Sequence, residues 1–487
     1  MNKYLNLAIT LIACIISIPA LSQVTIGMGE APAKTALLQI KDQSADGNNI
    51  TSKTGGVLLP RVGLINLKTL QPFMDPSDTG YADEKKASIG LFVYNMNKSE
   101  PDSIYPGLYY WDGEQWDLLN ARKSGGGDVG GTVDPVEPPI ANLEDPEALK
   151  LSNCYIVGNG STVDIPVIKG YAVWNQLLNV DRLDLEGTTT VDLLWQDHDN
   201  LVTSVSLADG DKGPLSYIRV KVNSQSLVGN AIVTLKINGL VYWSWHIWVT
   251  DYDPTQTSGQ KAYNGSTFMD RNLGATNATQ GNIGSKGLFY QWGRKDPFPG
   301  SSTTVSTQEK TLYTIANSNF NILKVEMQTM PAIQGNYIQN AIRNPGTFYF
   351  SSGRLGDWYT DDKTVKNDHL WENSDGTKAP NDPCPPGWRV PASGTGDTTP
   401  WAGLVSGGNF DAGKGEDYPD AGYYPAAGYR AADTGELISV GTQGNVWYGS
   451  ALAEESESFR LKFEAYSTLP SERGARASGF SVRCVKE

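Results

Sequence analysis

Two stretches of the sequence decide the fold: Asn381-Asp382-Pro383-Cys384-Pro385-Pro386-Gly387-Trp388-Arg389-Val390-Pro391 and Gly479-Phe480-Ser481-Val482-Arg483-Cys484-Val485. The four prolines of the first stretch restrict the backbone and remove hydrogen-bond donors, so it is neither a helix interior nor a central strand. Alternating side chains in the second predict a half-buried strand with Cys484 on its inward face. We therefore expect a disulfide between Cys384 and Cys484, which contributes roughly 4–5 kcal/mol in the chain-entropy model. The alternative is two buried free thiols, which an export signal disfavours.

Five short runs in the second half of the chain occur in a characteristic order: Met269-Asp270-Arg271-Asn272-Leu273-Gly274-Ala275, Gly287-Leu288-Phe289-Tyr290-Gln291-Trp292-Gly293-Arg294, Cys384-Pro385-Pro386-Gly387-Trp388-Arg389-Val390-Pro391, Ala427-Gly428-Tyr429-Arg430 and Ser481-Val482-Arg483-Cys484-Val485. In this order they resemble the Fibrobacter succinogenes major paralogous domain, a surface module common in Bacteroidetes. The resemblance covers about the last half of the chain. It implies an α+β fold of the C-type-lectin type with a long loop region, but no single function.

Nine residues in these runs are expected to carry the fold: Arg271, Asn272, Trp292, Arg294, Trp388, Arg389, Tyr429, Arg430 and Arg483. We expect the arginines to brace the fold through buried hydrogen bonds rather than to contact a substrate. Formylglycine-generating enzymes also use this fold, with a reactive cysteine pair and copper. Because Cys384 and Cys484 are expected to form a structural bridge, that oxidase activity does not carry over.

Composition and the N-terminus indicate an exported protein. Residues 1–22 read as a signal peptide, with a basic residue, an apolar core and a small-residue cleavage site before Gln23. The rest of the chain has no apolar run long enough to span a membrane. We expect the protein at the cell surface, associated with the outer membrane or extracellular. A lipobox-like run ending at Cys14 offers the alternative of a lipoprotein.

Charge and histidine content narrow the possible functions. The net charge of the 487 residues is −14, with a pI near 4.8 and no basic cluster, which disfavours nucleic acid as a partner. The chain has only three histidines, which argues against a metal hydrolase built from clustered histidines.

The pattern along the chain predicts a multidomain, mainly-β protein. A small β-rich module occupies residues 24–120, where Asp112-Gly113 between aromatic strands predicts a hairpin. A Gly/Pro-rich linker follows at 121–141. Residues 142–252 predict an immunoglobulin-like β-sandwich, and residues 253–487 form the C-type-lectin-like domain implied by the resemblance.

Within the sandwich, Asn238-Gly239 between alternating strands is the strongest hairpin signal in the chain. Trp243 and Trp245 are expected in the core, and His246 is expected to be a structural histidine with satisfied hydrogen bonds. Ile338 to Ile342, in the domain that follows, predict a brief helix that ends before Pro345.

Two further features have a functional and a structural interpretation. Asp197-His198-Asp199 offers oxygen and nitrogen ligands for a cation, but a polar loop is the favoured interpretation. Cys154 is expected to be a small buried residue, with an intermolecular thiol as the alternative.

Candidate ligand-binding residues lie in the long polar loop region of the C-terminal domain. Aromatic faces accept the apolar surface of sugars, and carboxylates accept their hydroxyl groups. Both types occur together here: Tyr349, Trp358, Tyr359, Asp361, Asp362 and Trp371. The sequence lacks the Glu-Pro-Asn or Gln-Pro-Asp and Trp-Asn-Asp triplets of calcium-dependent lectins. No cofactor is therefore expected, and calcium remains a candidate ion without a supporting motif.

Catalytic residues are not expected. The sequence has no serine-nucleophile elbow, no His-Glu-x-x-His and no Cys-x-x-Cys motif. Adjacent carboxylates such as Asp361-Asp362 could serve a glycosidase only across a cleft, which adjacency in sequence does not indicate.

Three functional hypotheses follow. In the first, two β-rich modules form a stalk that presents a C-type-lectin-like head for adhesion, with a glycan or a host or matrix protein as the partner and a fimbrial tip as one location. In the second, the protein is a structural or accessory subunit of a fimbria or surface assembly without a ligand of its own. In the third, it is an enzyme that acts on polysaccharide.

Overall fold

The structure, a computed structural model, describes residues 24–26, 38–40, 44, 52, 59–97, 104, 107–118, 142–180, 185–315, 318–326, 337–350, 356–359, 366–393, 399–406, 409–452 and 456–487. The predicted signal peptide with Cys14, the predicted linker at 121–141, and Asp361 and Asp362 lie outside these residues. The chain divides into two compact units, Met1–Lys123 and Ser124–Glu487, and both are built mainly from strands. This confirms the predicted multidomain, mainly-β class. Within the described residues, no helix has the length and apolar character needed to span a membrane.

The described residues of the first unit form one helix and two small sheets. Its elements are β1 (Val24–Ile26), β2 (Leu38–Ile40), β3 (Arg61–Val62), α1 (Tyr81–Ala87), β4 (Phe92–Asn95), β5 (Gly107–Trp111) and β6 (Trp116–Leu118). Strands β1 and β2 form a parallel pair, and the other four form a sheet in the order β3-β4-β5-β6. The predicted hairpin at Asp112-Gly113 is confirmed, because β5 and β6 pair antiparallel with Trp111 opposite Trp116.

One face of this sheet builds the core of the first unit. Val93, Tyr109, Trp111 and Trp116 are buried there together with residues from the flanking loops. The buried side chains alternate along β4 and β5, as expected for a sheet that covers a core on one side.

The second unit begins with two packed sheets. Its first elements are α2 (Glu147–Lys150), β7 (Cys154–Val157), β8 (Thr162–Pro166), α3 (Ile168–Ala172), β9 (Thr189–Gln196), β10 (Val202–Leu207), β11 (Tyr217–Val222), β12 (Gly229–Ile237) and β13 (Leu240–Val249). The predicted hairpin is confirmed: β12 and β13 pair antiparallel, and Asn238 and Gly239 have φ of 51° and 81°, as a type I′ turn requires. Trp243 and Trp245 are buried, as expected.

Beyond residue 252, the described part of the chain adds many short strands and one α-helix. These elements are β14 (Gln260–Tyr263), β15 (Ser266–Met269), β16 (Leu288–Gln291), β17 (Phe298–Pro299), β18 (Leu312–Tyr313), β19 (Asn319–Phe320), β20 (Leu323–Glu326), α4 (Tyr337–Arg343), β21 (Thr347–Phe350), β22 (Trp388–Arg389), β23 (Gly415–Tyr418), β24 (Gly422–Pro425), β25 (Tyr429–Arg430), β26 (Leu437–Ile438), β27 (Gln443–Ala451), β28 (Glu457–Glu464), β29 (Ser467–Ala475), β30 (Gly479–Ser481) and β31 (Val485–Lys486). The brief helix predicted at 338–342 is confirmed as α4.

Four sheets organise the second unit. The three-stranded sheet β10-β11-β8 packs against the six-stranded sheet β19-β18-β9-β12-β13-β7. Beyond residue 252 lie the four-stranded sheet β14-β15-β31-β22 and the eight-stranded sheet, whose main path is β17-β16-β30-β27-β28-β29. The pairs β20-β21 and β23-β24 stand apart from these sheets.

The expected sandwich and the expected C-terminal domain share one core. Strand β18 joins the six-stranded sheet through Tyr313 opposite Gln196 of β9. One hydrophobic cluster also combines Trp195 and Trp248 with Trp292, Trp371 and other residues from beyond 252. Residue 252, the predicted boundary between the two segments, therefore lies inside one compact unit.

The expected disulfide is confirmed. Cys384 and Cys484 are bonded, with their Cα atoms 6.0 Å apart, and both are fully buried. Asp382 holds the proline-rich stretch in place, because its carboxylate oxygens each lie 2.8 Å from a backbone N–H, that of Cys384 and that of Val390. Side-chain hydrogen bonds thus replace the regular ladder that the prolines prevent.

The expected half-buried strand at the C-terminus is wrong in one respect. Ser481 and Arg483, which alternation assigned to solvent, are each only 1% exposed. The stretch is also divided, because β30 belongs to the eight-stranded sheet and β31 to the four-stranded sheet. Alternation fails here because the chain crosses between two sheets and is covered on both sides. Cys484 lies in that crossing, so the disulfide fixes it.

Candidate functional site

The aromatic residues expected to bind a ligand surround one buried arginine. Arg294 donates from Nη1 to the carbonyl oxygen of Thr347, at 2.6 Å, and its guanidinium packs against the rings of Tyr349 and Trp358. Trp371 donates from Nε1 to the carbonyl oxygen of Arg294 at 3.1 Å. The chain thus brings four of the six expected residues into one region, since Tyr359 lies against Trp358 with ring centroids 5.7 Å apart.

Burial changes the interpretation of two of these residues. Trp358 is 2% exposed and Trp371 is 0% exposed, so neither ring presents a face to a ligand. Both indole N–H groups also donate to backbone carbonyls, which is typical of tryptophans in a core. Tyr349 and Tyr359 are partly buried, so among the four described candidate ligand-binding residues they are the ones with accessible surface. The stacking role is therefore not supported for the two tryptophans, because other side chains cover their rings.

An ionic cluster lies beside this aromatic group. Arg476 packs over the ring of Trp292, 4.5 Å from its centroid, and donates to Asp368 at 2.5 Å. Its Nη1 lies 3.6 Å from Oδ2 of Asp357, and both of these side chains are only 1% exposed. Oδ2 of Asp357 and the ammonium nitrogen of Lys366 are buried and have no hydrogen-bond partner among the described residues.

Burial dominates the chemistry of Asp357. Removal from water raises the pKa of its carboxyl group to about 6, although Arg476 and a hydrogen bond from the backbone N–H of Tyr359 oppose the shift. A carboxyl group that titrates near neutrality next to an arginine is a candidate functional group, although structural ion pairs also produce such shifts. Sequence reasoning missed Asp357, since nothing local indicates that an aspartate before Trp358 is buried.

The expected bracing arginines make buried hydrogen bonds to the backbone and to side chains. Arg430 donates to the carbonyl oxygen of Pro299 and to Glu309, and Arg483 donates to Asn272. Arg389, on the edge strand β22, donates to Glu372 at 2.6 Å. Arg271 pairs with its neighbour Asp270 at 2.7 Å. The contacts of Arg271 and Arg389 are partly buried, and the bracing role of these arginines stays a prediction.

A second buried polar cluster contains a cysteine, a histidine and an asparagine. Nε2 of His246 lies 2.9 Å from Oδ1 of Asn230, and Nδ1 lies 3.3 Å from Sγ of Cys154. Because an amide oxygen only accepts, Nε2 carries the proton and Nδ1 is the acceptor, which faces the thiol of Cys154 and, at 3.5 Å, the hydroxyl of Tyr290. Sequence reasoning did not bring these residues together, although it expected a buried Cys154 and a hydrogen-bonded His246, and both expectations are confirmed.

This cluster has the donor and acceptor order of a cysteine nucleophile with its base, but its environment opposes catalysis. All three residues are at most 2% exposed. Burial lowers the pKa of His246 from 6.5 to about 3, so the imidazole is neutral and does not stabilise a thiolate. The arrangement is suited to satisfying buried polar groups between β13 and residues beyond 252.

The loop Asp197-His198-Asp199, for which a cation was the less favoured interpretation, contacts a lysine. Lys310 places its ammonium nitrogen 2.7 Å from Oδ2 of Asp197, and Asn230 donates twice to the same carboxylate. Burial acts to raise the pKa of Asp197, but Lys310 and Asn230 outweigh it and lower the pKa below its ordinary value. His198 and Asp199 are exposed and turn away from this contact. The described residues contain no group of three or more His, Cys, Asp or Glu side chains placed to hold a metal.

Ser244, on β13, belongs to a third buried cluster. Its hydroxyl donates to Oδ1 of Asp296 at 2.5 Å, and Lys295 donates to both residues while lying over the ring of Trp243. Asn153 adds two hydrogen bonds to the carbonyl oxygens of Pro380 and Asp382. The outer face of β13 and the start of β7 are thus bound to the C-terminal region by polar contacts.

Comparison with known proteins finds one similarity, which covers most of the first unit and the first residues of the second. Residues 25–131 match the family model described as a phage tail like trimerisation region. No curated protein and no solved structure matches the chain.

Proposed function

We propose that this protein is an exported, self-associating surface protein whose first unit gathers three copies and whose second unit recognises a partner. The observation that carries the proposal is the match of residues 25–131 to a trimerisation region. That match ends within the predicted Gly/Pro-rich linker at 121–141. A flexible segment at that place would let three C-terminal units reach a surface together.

Trimerisation would make weak recognition useful. Linked binding units convert the second and third contacts into intramolecular events, so overall avidity can exceed the affinity of one site by roughly 10²–10⁴. The disulfide and the shared core favour a rigid recognition unit, which loses little freedom on binding. The resemblance of 253–487 to a C-type-lectin-like surface module supports a glycan or a host or matrix protein as the partner.

The mature full-length chain tests both parts. Sedimentation equilibrium should give three times the mass of one chain, and a glycan array with a matrix-protein screen should give a defined set of binders. A monomeric chain would refute the role of the first unit. A trimer that binds nothing on the glycan array or in the matrix-protein screen would refute recognition by the second unit.

A second candidate function is a structural or accessory subunit of a surface assembly. The burial of Trp358 and Trp371 favours it, because it removes two of the aromatic faces expected to contact a sugar. Copurification from cells distinguishes the candidates. A subunit should copurify with other assembly components at fixed stoichiometry, whereas an adhesin should bind its ligand as an isolated trimer. An enzyme acting on polysaccharide has no specific support from the described residues.

A further inference from the structure

On the face of the first unit's sheet that does not cover the core, the inner strands β4 and β5 carry apolar side chains, and the neighbouring positions of the edge strands β3 and β6 are Arg61 and Asp117. Phe92 and Tyr94 of β4 are each 43% exposed, and Met96, which continues the same alternation, is 56% exposed. On the neighbouring strand, Tyr110 lies opposite Phe92 and Leu108 lies opposite Tyr94. We call these five side chains the outer apolar face.

This pattern departs from that of a sheet with one side in water. Outward positions of such a sheet are normally polar, whereas a sheet that is apolar on both faces is normally covered on both. Here Val93 and Tyr109, on the opposite face, already lie in the core. The outer apolar face thus has the composition of a second buried surface, and exposed contiguous apolar side chains of this kind mark interaction sites.

The family match identifies the occupant. Residues 25–131 include β3 to β6 in full, so the outer apolar face lies inside the region that matches a trimerisation model. An interface between copies favours aromatic residues and methionine and disfavours charged ones. Phe92, Tyr94, Met96 and Tyr110 fit that composition.

We propose that the outer apolar face is the surface through which three copies of this chain associate, an inference that rests on the proposed trimeric function. In a closed three-fold assembly each contact joins two different parts of the surface, and one continuous face that surrounds the three-fold axis touches both neighbours. Tyr94 lies between Arg61 of β3 and Leu108 of β5, which places it on an inner strand of the sheet. Central positions of this kind contribute most to association.

Charge substitutions in the mature full-length chain test the proposal. Phe92→Lys and Tyr94→Lys should each weaken trimer association by roughly tenfold or more, measured by sedimentation equilibrium over a range of concentrations. The matched control is Ile65→Lys, a substitution at a residue of the same unit that is 53% exposed and lies outside the outer apolar face. It should leave association unchanged. Circular dichroism should show that all three variants keep the wild-type strand content.

A second measurement does not depend on weakening the trimer. Tyr94→Cys introduces a thiol on the outer apolar face, while Cys384 and Cys484 are bonded and Cys154 is buried. A short bis-maleimide should then link copies of this variant, but not copies of Ile65→Cys.

The outcomes separate this inference from the proposed function. A wild-type monomer overturns both. A wild-type trimer that the lysine substitutions do not weaken, or that Tyr94→Cys does not cross-link, overturns the inference alone and leaves trimerisation by another surface.

Discussion

At residue 246, an imidazole lies in a space closed to water and faces Cys154, Asn230 and Tyr290, with the carboxylate of Asp197 nearby. Its folded-state pKa of about 3 is far below the ordinary value of 6.5. Between these two values the unfolded chain binds a proton that the folded chain does not. The free energy of unfolding therefore rises with pH across this window and falls on acidification.

We expect His246→Gln to remove this contribution. The wild-type free energy of unfolding should fall below pH 6.5 with a component of up to about 1.4 kcal/mol per pH unit from this residue. The variant should lack that component, because glutamine does not titrate. Urea denaturation at pH 4 to 7 measures it as the difference between the two proteins. A constant difference across that range would show that His246 is not buried in its neutral form.

Asp357 should act in the opposite direction. Its folded-state pKa of about 6 exceeds the ordinary 3.8, so between these values the folded chain holds a proton that the unfolded chain has lost. Stability from this group is present at low pH and is lost as pH rises through 6. The whole effect corresponds to about 3 kcal/mol.

We expect Asp357→Asn to remove the contribution of this residue to the pH dependence of the free energy of unfolding between pH 4 and 6. Arg476 keeps Asp368 as a partner in this variant, so folding should persist. Denaturation at half-unit pH steps compares the variant with the wild type and with Asp420→Asn, a substitution at an exposed residue. If the free energy of unfolding depended on pH in the same way in Asp357→Asn and in Asp420→Asn, Arg476 would be keeping Asp357 ionised throughout this pH range.

At the scale of elements, local patterns predict strands and turns but not what covers them. The β12–β13 hairpin was predictable because Asn-Gly tolerates positive φ and because Trp243 and Trp245 alternate with smaller or more polar residues. The opposite face of β13, with Ser244 and His246, is also buried, because residues beyond 252 pack on it. Nothing within the hairpin encodes that contact.

The candidate site shows the same limit. Trp358 was expected on the surface because its neighbours in sequence are polar, but Trp292 and Arg294, more than sixty residues earlier, bury it. The disulfide was predictable, because few cysteines remain outside the signal peptide and export favours their oxidation. Burial of Asp357 depends on the approach of Arg476 and Trp292 and has no local signal.

The disulfide joins the proline-rich stretch to the crossing between β30 and β31 and closes a loop of 100 residues. A bridge of that span lowers the entropy of the unfolded chain, which stabilises the folded chain by roughly 4–5 kcal/mol. We expect the double variant Cys384→Ala/Cys484→Ala to lose about this much stability in urea denaturation. Cys154→Ala is the matched control, since it removes a buried thiol but no bridge, and it should cost about 1 kcal/mol. Equal losses of stability in the two variants would mean that packing already fixes the contact between the two stretches and that the bridge adds little stability.

At the scale of the whole molecule, the shared hydrophobic cluster should make the second unit unfold as one body. Trp248 of β13 is fully buried in that cluster, against Tyr252 and near residues beyond 252. Trp248→Ala should therefore lower stability by about 3–5 kcal/mol. Hydrogen exchange should accelerate equally in the sandwich strands β8 to β11 and in the distant strands β27 to β30, because one opening reaction exposes both.

The first unit supplies the control for this last prediction. Trp116→Ala removes a tryptophan that is 2% exposed from a core of its own, so its effect on hydrogen exchange should stay within residues 59–118. Differential scanning calorimetry of the full chain should then show Trp248→Ala shifting one transition and Trp116→Ala shifting another. If Trp248→Ala accelerated exchange in β8 to β11 alone, the sandwich would open without the C-terminal strands. The sandwich and the head of the first hypothesis would then be separable, despite the hydrophobic cluster that they share.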